Sequence, residues 1–248
     1  MKPRPRPIER TEATPAAKVI RLTMPAMRDE DVAVVLGKRG TGKSYWTKQH
    51  LRELSGAHPG RIVVWDPMEE YGEGSDRTRN PPQLPALQSA DIEDFGALAE
   101  DAHTRGPLMV AVHAWQKRKT DRVEAFRHFT AILEECRNLL LVIDEAGSIP
   151  RDNWADEIEH IATRSRHWAM PVVFVAQRAV QVPPNAREQA TRIVSFRQDR
   201  PQDIDALTER MGPKAEELRH LKRRQFVAWF EEETFDAPGE QHGENHRA

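Results

Sequence analysis

The chain has 248 residues, with 37 Lys+Arg against 39 Asp+Glu and a formal net charge of −2. That length suits one large domain or two small ones with a real hydrophobic core. No stretch approaches the ~18–20 apolar residues of a membrane span, which excludes a direct membrane span, and the Pro- and Arg-rich amino terminus lacks the apolar segment of a secretory signal. A single cysteine, Cys136, excludes an intramolecular disulfide framework and a multi-cysteine zinc site, and fits a reducing cytosol.

The near-zero charge hides an uneven distribution. Residues 1–28 carry seven basic against two acidic side chains, +5, whereas residues 231–248 carry one basic against six acidic, −5. The whole-chain sum therefore decides nothing about nucleic acid as a partner. Residues 1–17 read as a flexible basic arm, 18–230 as one folded domain and 231–248 as a flexible acidic tail.

In chain order, short Val/Ile-rich runs fall at 32–36, 62–65, 108–112, 139–143, 172–176, 193–196 and 226–230. Unalternating runs of this kind are strands covered by helices on both faces. Amphipathic stretches at 44–54, 91–105, 121–136, 152–166 and 202–211 lie between them, with Asp91, Asp121 and Asp152 placed as amino-terminal caps. The alternation predicts βαβ units in an α/β, doubly wound, mostly parallel sheet. Residues 66–85, rich in Gly, Pro and charge, form the one long irregular loop.

The strongest motif is Gly37-Lys38-Arg39-Gly40-Thr41-Gly42-Lys43-Ser44, a G-x-x-x-x-G-K-[ST] P-loop set between a strand and a helix. Its glycines let successive N–H groups curl around phosphate, and the following helix adds its amino-terminal dipole. Lys43 would neutralise the β- and γ-phosphates of ATP, and the Ser44 hydroxyl would hold Mg²⁺. Downstream, Leu139-Leu140-Leu141-Val142-Ile143-Asp144-Glu145 looks like a Walker B segment. There Asp144 would anchor Mg²⁺ and Glu145 would polarise the attacking water.

Gln177 ends another core strand, where a ligand lies in an open parallel sheet. It reads equally as a γ-phosphate sensor or as a cap. Arg166, and after it Arg164, could reach a neighbouring subunit's γ-phosphate or simply complement a helix terminus. The cluster around Lys117, Arg118, Lys119 and Arg122 could grip DNA phosphates or form a solvated turn. A second cluster, Arg219 to Arg224, reads as a helix cap or a further basic patch. Tyr45 and Trp46 read as core rather than base-stacking groups.

Taken together these residues resemble the HerA/FtsK superfamily of P-loop ATPases, ring motors that pump DNA. The matches occur in order: the P-loop; Asp66-Pro67 followed by Glu69, Glu70 and Tyr71, similar to D-P-x-x-E-Y; LLLVIDEA; and RHWAMPVVFVAQR. They span about residues 30–230. The resemblance implies a RecA-like ASCE core, a Mg-dependent ATPase, Gln177 as sensor and an arginine finger in trans. The partners it implies are double-stranded DNA and copies of the chain in a homo-oligomeric ring, a hexamer.

Small size and lack of appended domains point within the superfamily to genome-packaging ATPases of tailless, membrane-containing phages. These act in the host cytoplasm and at a capsid vertex, with vertex proteins as partners. The alternatives are a host DNA translocase, a filamentous-phage extrusion ATPase, or a nucleotide-gated adaptor that does not hydrolyse ATP. Glu145 beside Asp144 argues against the last.

Overall fold

The computed structural model describes residues 25–231 apart from 57, 74, 76–84, 104, 114–118 and 149–150, and for 119–120 and 151–155 the backbone alone. The strands are Val32–Leu36 (β1), Arg61–Trp65 (β2), Gln88–Ala90 (β3), Leu108–Val112 (β4), Leu140–Ile143 (β5), Val172–Ala176 (β6), Arg192–Phe196 (β7) and Phe226–Phe230 (β8). They form a single sheet in the order β3-β4-β2-β5-β6-β1-β7-β8. Every pairing is parallel except that of β7 with β8. The middle strands are buried along their whole length, as strands with both faces covered must be. β8 is only half-buried, as suits an edge.

The helices are Lys43–Leu54 (α1), Ile92–Ala102 (α2), Lys119–Leu133 (α3), Arg151–Arg164 (α4), Pro184–Glu188 (α5), Pro201–Met211 (α6) and Lys214–Glu217 (α7). They divide unequally between the faces. On β1, Val32, Val34 and Leu36 share a core with Phe95 of α2, Phe126 and Phe129 of α3, and Leu207 of α6. Ala33 and Val35 face the other way, onto Trp46, Leu51 and Leu54 of α1 and onto Tyr71 and Leu87. Among the described residues, no helix is long and apolar enough to cross a membrane.

Several boundaries differ from the sequence expectation. Asp91 does cap α2, accepting from the Asp94 N–H at 2.9 Å. Asp121 and Asp152, however, sit inside α3 and α4, which begin at Lys119 and Arg151. Within the first turn of a helix an acidic residue is favoured by the positive end of the dipole. α2 and α3 end at Ala102 and Leu133, short of 105 and 136. Cys136 therefore lies past its helix, buried, and burial pushes its thiol up to about 11, an unreactive state. The arm 1–17 and the tail beyond Glu231 lie outside the described residues.

Two buried arginines tie down the amino-terminal edge of the sheet. Arg61 donates to the carbonyls of His103, Gly106, Arg137 and Asn138, all at strand entries, and burial lowers its pKa. Arg192 pairs with Asp31 at 2.5 Å, while Thr191 Oγ1 and the Arg28 N–H also donate to Asp31. Both ions are buried, so removing one leaves the other uncompensated. Arg192→Ala is predicted to cost about 3 kcal/mol in urea unfolding, with α/β secondary structure retained below the transition.

Candidate functional site

A parallel sheet puts the carboxyl ends of its strands on one edge, and every strong sequence motif falls there. The loop from Gly37 to Gly42 leaves β1 and turns directly into α1. It is fixed to the neighbouring strand by the Gly37 N–H, which donates to the Ala176 carbonyl at 3.2 Å. A Cβ on Gly37 would lie 2.5 Å from Thr41 Oγ1 and 2.9 Å from Phe196 Cβ, closer than real atoms approach. Gly42 precedes α1 at φ 115°, backbone that side chains rarely adopt. No side chain caps α1 and no acidic residue stands in its first turn. The loop is thus a glycine-rich cradle leading to an uncapped helix terminus, which suits an anion.

The groups that face the cradle converge from three strands. The Lys43 Nζ lies 2.8 Å from Glu145 Oε1. Gln177, past the end of β6, donates through Nε2 to Glu145 Oε2 at 3.1 Å. Asp144 ends β5, is 1% exposed, and accepts from the Glu145 N–H at 2.9 Å. Burial pushes its carboxyl up to about 7; Lys43 opposes the shift and Glu145 adds to it. Glu145 itself sits at φ 48°, a left-handed conformation uncommon for its type. Strain of this kind is held in place by surrounding contacts, here Lys43 and Gln177.

Behind this layer lies a second set of polar groups. Asp66, wholly buried at the end of β2, accepts from the N–H groups of Glu70 (2.9 Å) and Tyr71 (2.7 Å) and so closes the turn that follows. Burial raises its pKa, against the pull of those two N–H groups, His113 and Lys48. The Tyr71 phenol is buried and rises well above its ordinary value, from desolvation first and from Asp144 and Asp66 next. Lys48, one turn into α1, pairs with Glu70 at 3.5 Å and lies 5.0 Å from the centroid of the Tyr71 ring. Gln198, buried beyond β7, donates to the Gln177 carbonyl at 3.1 Å and fixes the residue whose side chain holds Glu145.

An ATP-type ligand with Mg²⁺ fits these residues. Glycine at 37, 40 and 42 leaves the backbone of the cradle unshielded there, so its N–H groups can approach phosphate. The Asp144 carboxylate and Ser44 hydroxyl are hard oxygen donors of the kind Mg²⁺ takes. A cavity of about 1000 Å³ opens over the loop and the first turns of α1.

The structure brings Lys43, Ser44, Asp144, Glu145 and Gln177 to one edge. It does not bring Arg164 and Arg166 there: both are exposed, at the end of α4 and on the turn Ser165–Trp168, which enters β6 at the opposite edge. Lys38 pairs with Asp199, beyond β7, and lowers that carboxyl; Arg39 is exposed. Of the candidate DNA contacts, Lys117 and Arg118 lie outside the described residues, Lys119 opens α3, and Arg122 is half-buried on its first turn.

Two sequence expectations need correction. Tyr45 is not core: it is 49% exposed and lines the cavity. The basic run up to Arg224 does not end as a helix cap, because Arg223 and Arg224 stand on a turn against the P-loop, Arg223 Nε donating to the Gly40 carbonyl at 3.4 Å. Lys48, Gln198 and Arg224 belong to no local motif; an apolar-face lysine one turn past the P-loop was the one available signal, for Lys48.

No family model matches the chain, and no curated protein does. Solved structures do. The genome packaging NTPase B204 from Sulfolobus turreted icosahedral virus 2, in complex with AMP, is 20% identical with a TM-score of 0.59, over 82% of this chain and 94% of that one. VirB4 of Thermoanaerobacter pseudethanolicus is 14% identical with a TM-score of 0.52, over 80% and 86%. The chain shares their fold. This is the P-loop NTPase architecture that the sequence resemblance anticipated, and other B204 structures hold AMPPCP or ATP-gammaS.

The raised Asp144 carboxyl makes stability depend on pH. An acid whose pKa is higher folded than unfolded stabilises at low pH and loses that contribution as pH rises through the folded value. Without ligand, Asp144→Asn is predicted to be about 2 kcal/mol more stable than the parent at pH 8. The gain shrinks steadily from pH 7 to 4. Urea titrations across that range measure it.

Proposed function

We propose that the protein is a Mg-dependent ATPase that assembles into a homo-oligomeric ring, a hexamer, and drives double-stranded DNA into a preformed viral capsid. The observation that carries the reading is the convergence of Lys43, Asp144, Glu145 and Gln177 beside a glycine-rich cradle, on a fold shared with a genome packaging NTPase. It acts in the host cytoplasm and docks at a capsid vertex through vertex proteins.

In the proposed reaction the cradle and Lys43 bind and neutralise the phosphates. Ser44 and Asp144 hold Mg²⁺, which supplies further charge neutralisation when bound. Once phosphate takes over Lys43, the Glu145 carboxylate is released to accept a proton from the attacking water, and Gln177 orients that carboxylate. Arg166, or failing it Arg164, completes the site of the adjoining subunit. Its place on the opposite edge of the sheet supports action in trans, since a strand of five residues spans about 17 Å. Lys119 and Arg122, with Lys117 and Arg118, are the DNA contacts in this reading. Salt-sensitive, sequence-independent binding follows from phosphate contacts alone.

Lys43→Ala and Glu145→Gln are each predicted to lower ATP turnover at least about a hundredfold, Lys43→Ala with loss of binding and Glu145→Gln with binding kept. Arg166→Ala is predicted to bind ATP yet fail to turn it over. Mixing Arg166→Ala with Lys43→Ala protein restores part of the activity, because some interfaces then join an intact Lys43 to an intact Arg166. ATP-binding parent protein with no turnover in the presence of DNA and Mg²⁺ would instead mark a nucleotide-gated adaptor.

A further inference from the structure

We propose that Arg224, on the turn leading into β8, binds the base of the nucleoside triphosphate, with Phe226 and Trp46 as the apolar wall beside it; this rests on the P-loop being an ATP site. The sheet order sets the direction of the ligand. Asp144, Glu145 and Gln177 follow β5 and β6, which lie to one side of β1, so the reacting phosphate belongs there. A phosphate chain laid along the loop after β1 then points its nucleoside to the other side, where β7 and β8 stand.

The end of β7 and the start of β8 present Phe196, Arg223, Arg224 and Phe226 to the cavity. The opposite wall, Met68 to Glu70, follows β2 on the side of the reacting phosphate and carries two carboxylates.

The turn is built to hold an arginine against the P-loop. The Lys222 N–H donates to Gln225 Oε1 at 2.8 Å, and the Gln225 N–H donates to the Lys222 carbonyl at 3.0 Å. Between them Arg224 sits at φ 67°, a left-handed position that glycine or asparagine would occupy without strain. Its Cγ lies 3.9 Å from the place a Cβ on Gly42 would take. Next to it Phe226 packs on Phe196 with ring centroids 5.5 Å apart and on Trp46 at 6.1 Å. The Trp46 Nε1 is buried in this wall without a hydrogen-bond partner. An exposed guanidinium plane beside an aromatic cluster is the chemistry that stacks on a base, and it tolerates any base because each has a π-face.

Calorimetric titration of the full chain with ATP, ADP, AMP and inorganic tripolyphosphate tests the placement. Arg224→Asn removes the guanidinium while suiting the left-handed backbone, so the fold is kept. It is expected to weaken ATP, ADP and AMP by about tenfold each and to leave tripolyphosphate unchanged. Arg224→Lys, which keeps the charge but not the plane, is expected to match it. Undiminished nucleotide binding in Arg224→Asn overturns the proposal, and so does an equal loss for tripolyphosphate, which would make Arg224 a phosphate ligand. Parent protein that binds none of the four ligands fails the ATP reading itself, a result distinct from either.

Discussion

The ammonium of Lys43 stands 2.8 Å from the Glu145 carboxylate, next to a buried Asp144 and with Asp66 in the layer behind. Three carboxyl groups share this end of the molecule with two lysines, Lys43 acting on Asp144 and Glu145 and Lys48 on Asp66. Burial pushes Asp144 and Asp66 toward their neutral forms, and Lys43 is the main charge that opposes the shift at Asp144. The same ammonium is the one a phosphate would claim. The Lys43 ammonium thus organises the ends of β5 and β6 and is the group whose reassignment would set Glu145 to work in the proposed reaction.

The sheet makes that arrangement possible. Because β1, β5 and β6 run parallel and adjacent, their carboxyl ends deliver the P-loop, Asp144-Glu145 and Gln177 within a few ångströms. The Arg61 and Arg192 clusters hold the opposite edge through buried carbonyls and an ion pair. Positive-φ residues stand on both edges, His103, Asn138 and Ala169 before β4, β5 and β6, and Glu145 and Arg224 beside the P-loop. Glycine at Gly37 is dictated by contact with Thr41 and Phe196, and at Gly42 by its dihedral angle.

Much of this was legible in the sequence because the decisive features are local. Seven apolar runs became seven strands, and the P-loop, Asp144-Glu145 and Gln177 sit in motifs read over a few residues. β3 escaped notice because its three residues, Gln88–Ala90, are polar or small and carry no apolar run. Helix starts shifted by one or two residues because acidic side chains are favoured within the first turn as well as at the cap. Lys48, Gln198 and the Arg223–Arg224 turn were illegible for a different reason. Gln198 and the turn depend on the strand order β6-β1-β7-β8, and Lys48 on the turn after β2, whose Glu70 and Tyr71 it meets. The basic run near residue 222 looked like any charged helix end until β8 folded back antiparallel to β7.

The buried Asp144 carboxyl also bears on the lifetime of the polypeptide. Asp144 is a desolvated acid whose charge Lys43 offsets only in part. A ligand that supplies cations to this spot selectively lowers the free energy of the folded state, by an amount that grows with the logarithm of its concentration. Occupancy then governs how often the chain opens to proteases and aggregation. On the proposed ATPase reading, a cell rich in nucleotide would preserve the protein, and depletion would expose it to clearance.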